Sequence, residues 1–423
     1  MSDDTLRIGG LGSNMDIEGT IEAILKTDAA QITEAEETQT TRSEEVAAWN
    51  EINNALATFT KAADALRWMD VWRDTTAISS ETSVASATAT TSATKGTYSI
   101  EVSQLARAQT IASASSLTTS GGSAVTSSTL LTEISGISAG NQFAIAGQTF
   151  TISDTETLAT LRTKINDASA NMPEDQRVTA TILNNRLVLQ RVKTGADNII
   201  LADTTGSPLQ ALGILNAQGD PANELLSAQN ALFTVNGASI ERASNSSLTD
   251  VLDGVTLNLI GAGTSQLTIA QNTEGIKTAV KTFIDSYNAY AEVLESYTTY
   301  NTTDPDNPVA GLLQNDSMAR EMASTLRAKA TQMSSSLTSD NASYTYGDQT
   351  GVMNTLSSVG IWTTGTENRL ALTDEDRFDT LLQQDPDKVE QLFRGVQTTS
   401  GSRAGGIALS LYTTSKNYSS DLD

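Results

Sequence analysis

The sequence predicts an α+β protein, with a helical coiled-coil stem drawn from the N- and C-terminal parts and antiparallel β structure inserted between them. Three observations carry this expectation. Trp49, Ile52, Leu56, Phe59, Ala63 and Leu66 recur at spacings of 3 and 4, a heptad seam along one helix face. Far downstream, Ile276, Val280, Phe283, Tyr287, Tyr290, Leu294 and Tyr297 repeat that pattern. Between the two seams the apolar period falls to 2, as in Thr97 to Val102 (TYSIEV), which is the signature of strands. Packing of the two helices against each other makes everything between them an inserted arm; the other reading is two amphipathic helices in separate cores.

In chain order, Gly9, Gly10 and Gly12 precede Asp16, a candidate N-cap for an amphipathic run through Ile17, Ile21, Ile24 and Leu25. The continuation TEAEETQTTRSEE has few large apolar groups, so residues 1–42 are expected to be helical only when packed and to fray alone. Trp68 and Trp72 stand four apart, which on a helix puts them on one face, in a core or an interdomain hinge. Two hairpins follow. Asn184-Asn185 joins Val178, Ala180 and Ile182 to Leu187 and Leu189, and Asn236-Gly237 joins Phe233 and Val235 to Ile240. A repeat links Phe143-x-Ile145-x-Gly147-x-x-Phe150, with Leu158-x-x-Leu161 after it, to Phe233-x-Val235-x-Gly237-x-x-Ile240, with Leu248-x-x-Val251 after it; a hairpin followed by a short helix is the expected unit. Beyond Tyr297, NTTDPDNPVAG reads as a turn, and Met318, Met322, Leu326, Ala330 and Met333 mark another amphipathic helix. Thr373 is expected to cap a helix with Asp376 at its third position, while Asp385-Pro386 opens another that Gly395 ends.

Composition removes much chemistry. The chain has 423 residues, no His, no Cys and a net charge of −24, so imidazole-based triads, thiol nucleophiles and zinc fingers are excluded, and nucleic acid and anionic membranes are poor partners. No GxxxxGK[ST], GxGxxG or GxSxG motif occurs. The acidic cluster Thr373 to Asp379 lacks the glycine and terminal glutamate of a calcium loop, and helix capping is its expected role. No apolar run reaches membrane-spanning length, and the start MSDDTLRIGG lacks the basic and apolar regions of a signal peptide, so export without a cleaved leader is expected. No enzyme activity, cofactor or metal is expected. Serine and threonine form about a quarter of the chain and aromatics 5%, a composition suited to an extracellular structural protein.

Several blocks resemble the FliD family of flagellar hook-associated proteins, which cap the bacterial filament. They are LGSNMDIEGTIEAIL (Leu11 to Leu25), GTYSIEVSQLARAQTIAS (Gly96 to Ser113), NALFTVNGASIERASNSSLTDVLDGVTLNL (Asn230 to Leu259), FIDSYNAY (Phe283 to Tyr290) and LSSVGIWTTGTENRLALTDEDRFDTLLQQDPDKVEQLF (Leu356 to Phe393). Asn14-Met15 stands where the family commonly has glycine-leucine, and the chain stops at Asp423 where the family adds a long helix that pairs with the N-terminal one. A less ordered terminal region is the expected consequence.

The resemblance implies two nested antiparallel β-rich domains within the stem. The expected division is a leg segment, 1–42, flexible unless assembled; a helical stem, 43–74 with 273–423; an outer β domain, 75–113 with 227–272; and an inner one, 114–226. It further implies a non-enzymatic cap at the flagellum tip that stops flagellin leaking and promotes its folding and polymerisation. Its implied partners are flagellin, the hook-filament junction protein, an export chaperone and copies of itself in a ring, with five subunits as the expectation and export by the flagellar type III route. Candidate interaction residues are Ile17, Ile21 and Leu25 at the filament end, with the apolar seam residues Trp49, Ile52, Leu56, Phe59, Phe283, Tyr287 and Tyr290. The alternative function is a surface adhesin that binds host glycans or mucin through exposed β domains.

Overall fold

The computed structural model describes residues 17–301, 309–364 and 369–422. The glycine cluster and the Asp16 cap lie outside the described residues, as does the side chain of Ile17. Two compact units result: residues up to Arg73 with those from Asn272 onward, and Asp74–Gln271.

The helical unit is organised by one helix, Ile17–Arg67, of 51 residues. Its inner half presents Ile52, Leu56, Phe59, Ala63 and Leu66, all fully buried, to the central helix Thr273–Thr298, whose Ile276, Val280, Phe283, Tyr287, Tyr290 and Leu294 share the same core. The two heptad seams therefore meet. Phe59 sits at the centre, with ring centroids 5.6 Å from both Phe283 and Tyr287 and 6.1 Å from Tyr290, within the range of favourable aromatic pairs. A further helix, Ile407–Leu422, buries Ile407, Ala408, Leu411 and Ser415 and lies against the long helix, to which Ser419 Oγ hydrogen-bonds at Asn53 Oδ1 at 3.0 Å.

Termination of the long helix at Arg67 has a local cause. Its last carbonyls need partners; the Trp72 indole donates to the Leu66 carbonyl at 2.8 Å, and Arg394 Nε donates to that of Arg67 at 2.8 Å. The chain breaks at Trp68 before the short helix Met69–Arg73. Trp68 and Trp72 consequently do not share a face: Trp72 is buried against Phe393, whereas Trp68 is exposed beneath the Arg67 guanidinium.

Helix Glu375–Gln384 is capped by Asp374, which accepts from Arg377 N at 3.0 Å, one residue after the expected Thr373. Helix Pro386–Arg394 starts at Asp385-Pro386 and ends at Gly395, where φ is +86° and a Cβ would collide with the Ala404 carbonyl. Two carboxylates of the 373–379 cluster face cations: Lys277 Nζ lies 2.8 Å from Glu375 and 2.7 Å from Asp379, and Lys281 Nζ lies 2.8 Å from Glu375.

The β unit has two cores. Around Ile100, Phe233, Leu257 and Ile269 pack a five-stranded antiparallel sheet, ordered Thr75–Ser79, Gly263–Gln271, Gly96–Gln104, Ala231–Val235, Ala238–Arg242, and a three-stranded sheet, Leu248–Leu252, Val255–Leu259, Ala85–Ala89. Around Phe143, Phe150, Leu161 and Leu189 pack a four-stranded sheet (Glu224–Leu226, Thr110–Ala112, Arg186–Arg191, Val178–Leu183), a three-stranded one (Gln148–Thr151, Gln142–Ile145, Leu201–Thr205) and the helix Leu158–Ser169. Strand Thr110–Ala112 belongs to this second group and not to the first, because it hydrogen-bonds beside Arg186–Arg191. The segment that leaves the first core after Gln104 is pinned to it: Asn245 Oδ1 accepts from Ala106 N at 2.7 Å and its Nδ2 donates to Ala106 O at 2.9 Å.

The hairpin turns at Asn184-Asn185 and Asn236-Gly237 have the paired positive φ angles that a tight antiparallel turn requires. The repeat holds only in part. Leu158 begins a helix in the first copy, but Leu248 begins a strand in the second, because Leu248 and Leu252 pair with Leu257 and Val255.

Phe59→Ala removes the shared aromatic partner and should destabilise the helical unit by about 3–5 kcal/mol, read as a lower urea midpoint of its helical signal. Lys277 and Lys281 hold the Glu375 carboxyl down at about 2 from 4.5. Its contribution is fully present above the unfolded value and is lost as pH falls from about 4.5 towards 2. Urea midpoints across that interval should decline less steeply in Lys277→Met than in the unaltered chain.

Candidate functional site

The long helix is divided between core and solvent. From Gly19 to Glu44 every residue is exposed, and the first buried position is Ala48. Residues 17–42 are helical in the chain alone, contrary to the expectation that they need packing, and no break separates a leg from a stem near residue 42. The physical reason is cooperativity. Residues 48–66, held by tertiary contacts, already supply the costly nucleus, so the outer half only has to propagate. Thr27, Thr33, Thr38, Thr40 and Thr41 each donate a hydroxyl to the carbonyl four residues earlier, at 2.7–3.0 Å, which keeps these side chains within the helical pattern.

On this outer half Ile21, Ile24, Leu25 and Ile32 are 52–62% exposed. Ile24, Ile21 and Ile17 lie in the same heptad phase as the buried seam, extended backwards by steps of 4 and 3 through Glu45, Arg42, Thr38, Ala35, Gln31 and Asp28. One seam thus has apolar residues at both ends and mostly polar ones in its middle. Arg42 and Glu45, both at seam positions, pair at 2.7 Å. Between Glu18 and Glu45 eight carboxylates face two cations, Lys26 and Arg42, so side-by-side copies of this segment repel unless salt or a partner offsets the charge.

The sequence-predicted interaction residues fall into two groups. Ile21 and Leu25 are exposed and free to meet another molecule. Ile52, Leu56, Phe59, Phe283, Tyr287 and Tyr290 are buried in the chain's own core, and Trp49 is half-buried at its margin. Contacts between subunits through those seven need a correction, since the central helix and Ile407–Leu422 already pack around this seam. Ile32 and Val46, also exposed, were missed by periodicity because they stand off the seam.

Expectations about the end of the chain also change. Ile407–Leu422 is an ordered helix packed on the long helix, and it lies along the inner half of that helix, not the outer. Among the described residues no cluster of three or more acidic side chains is arranged to hold a metal ion, and no helix is long and apolar enough to cross a membrane.

The chain thus combines a split helical unit, whose long helix leaves apolar side chains uncovered, with two β cores inserted in its sequence. Relatives give the family. Family models for the flagellar hook-associated protein 2 N-terminus and C-terminus match residues 13–109 and 228–422. Flagellar hook-associated protein 2 of Salmonella typhimurium is 28% identical, covering 97% of this chain and 84% of that protein; the B-type protein of Pseudomonas aeruginosa is 30% identical, covering 89% and 76%. The crystal structure of the D1-D2-D3 domains of the flagellar cap protein FliD from Escherichia coli matches with a TM-score of 0.57 at 28% identity, over 88% of this chain and 96% of that one. The chain belongs to the flagellar hook-associated protein 2 family, a family of structural flagellar cap proteins and not of enzymes.

Proposed function

We propose that this chain caps the distal end of the flagellar filament as a homo-oligomeric ring, retaining flagellin and sheltering each arriving subunit while it folds into place. The observation that carries this reading is the likeness to a cap protein across the helical and β units together, and not in one motif. The uncovered Ile21, Ile24 and Leu25 supply the surface that meets the filament end. Burial of apolar area there is favourable by roughly 25 cal/mol per Å², which offsets the like-charge repulsion along the same helix. No chemical step is required of the cap, because folding and burial of flagellin supply the free energy of growth. A five-subunit ring, a hook-filament junction protein, an export chaperone and uncleaved type III export complete the proposal. So does the nested division into outer and inner β domains.

Deletion of the gene in its host tests it. Short or absent filaments with monomeric flagellin in the medium, restored by the intact gene, are expected. A gene carrying Ile21→Ser and Leu25→Ser should yield a protein that is exported and folds outside the cell yet fails to restore filament length. Normal filaments with lost surface attachment would overturn the cap and favour the adhesin.

A further inference from the structure

One cleft in the helical unit reverses the sign of the molecule. It has a volume of about 370 Å³ and lies between the central helix and the helix Ser317–Thr331, with Arg369 at its edge. Its apolar wall includes Leu294 and Leu326. Arg320 and Arg327, two turns apart on one face of their helix, join Arg369 in the lining, against a single carboxylate, Glu295. Arg369 Nη2 meets Glu295 Oε2 at 2.7 Å. Arg320 and Arg327 are exposed and form no ion pair among the described residues, Arg320 Nε donating only to the Asp316 carbonyl of its own helix at 3.4 Å, in a chain with 50 acidic and 26 basic residues. Tyr290, 2% exposed, also lines the cleft, and its hydroxyl has no hydrogen-bond partner among the described residues. An unpartnered buried hydroxyl is costly and rare. Burial raises the Tyr287 phenol, and the nearby charges of Arg327 and Arg369 oppose that rise, so these guanidinium groups act on the same wall of the cleft.

We propose that this cleft binds a carboxylate carried next to an apolar side chain on a peptide segment of another protein. Arg320 and Arg327 donate to the carboxylate, Arg369 supplies a third charge while keeping Glu295, and the apolar side chain covers Leu294 and Leu326. Guanidinium matches carboxylate geometry with two parallel donors, which gives direction as well as charge. Inorganic phosphate would use the arginines but leave the apolar wall in water. The carboxylate belongs either to an acidic side chain or to a chain terminus, and both present the same chemistry. The cleft's role rests on its own composition, so loss of the capping assignment would leave it standing.

The test uses the full chain with arginine-selective isotope labelling, following the Nε–H resonances at low salt during titration with three peptides: Ac-GLDLG-NH2, Ac-GGLL-OH and the neutral control Ac-GLNLG-NH2. At least one carboxylate peptide should shift the Arg320, Arg327 and Arg369 signals saturably, and which one does so assigns the source as side chain or terminus. The control should bind at least tenfold more weakly. Arg320→Gln and Arg327→Gln, both at exposed positions that leave the helical circular dichroism intact, should each weaken binding about tenfold, the loss of one charge-assisted contact. No shift with either carboxylate peptide, equal binding of the control, unaltered affinity in both variants, or phosphate binding more tightly than the peptides would each overturn the proposal.

Discussion

The contact of Phe59 with Phe283, Tyr287 and Tyr290 is the interaction on which the rest of the architecture depends. It joins helices that the whole β unit separates in sequence, so the helical core exists only when the chain closes a loop from Arg67 to Thr273. Loop-closure entropy grows only slowly with length, and a compact folded insert shortens the effective gap. A seam of fully buried aliphatic and aromatic side chains is enough to hold that closure. Arg394 and Trp72 then complete the end of the long helix by satisfying its last carbonyls.

From this anchoring follows an asymmetry along one continuous helix. The inner half is held by core packing, and the outer half is held only by propagation from it. Exposed Ile21 and Ile24 at the outer end keep the phase of the seam, with Leu25 beside them, while mostly polar residues separate them from the core. Polar residues at seam positions lower the stability of any pairing there, which suits contacts that form and release as an assembly grows. The net charge acts in the same direction, because copies brought together must overcome their own repulsion.

Much of this was legible in the residues. The heptad spacing from Trp49 and from Ile276 revealed both helices and made their pairing the expected reading, which the shared core bears out. Asn236-Gly237 and Asn184-Asn185 marked their hairpins because few residues accept positive φ. Other features depended on tertiary contacts that spacing does not record. Trp68 and Trp72 looked like one face until the helix broke between them. Leu248 became a strand through its pairing with Leu257, which local pattern did not foretell. Helix Ile407–Leu422 buries small residues such as Ala408 and Ser415, which leave a weak periodic signal. Among the candidate interaction residues, exposure separated Ile21 and Leu25 from the buried seam, and no sequence rule distinguishes a seam filled from within the chain from one filled by a neighbour. The arginine cleft was equally hidden, because Arg320, Arg327 and Arg369 come from two elements distant in sequence.

The central claim is that one helix has two differently held halves, and hydrogen exchange on the dilute monomer tests it most directly. Amides of residues 52–66 should exchange only through large-scale unfolding of the helical unit, while those of residues 21–44 should exchange orders of magnitude faster and gain protection on assembly. Equal protection of both halves in the isolated chain would contradict the account, since the outer half would then be held by something other than its continuity with the core.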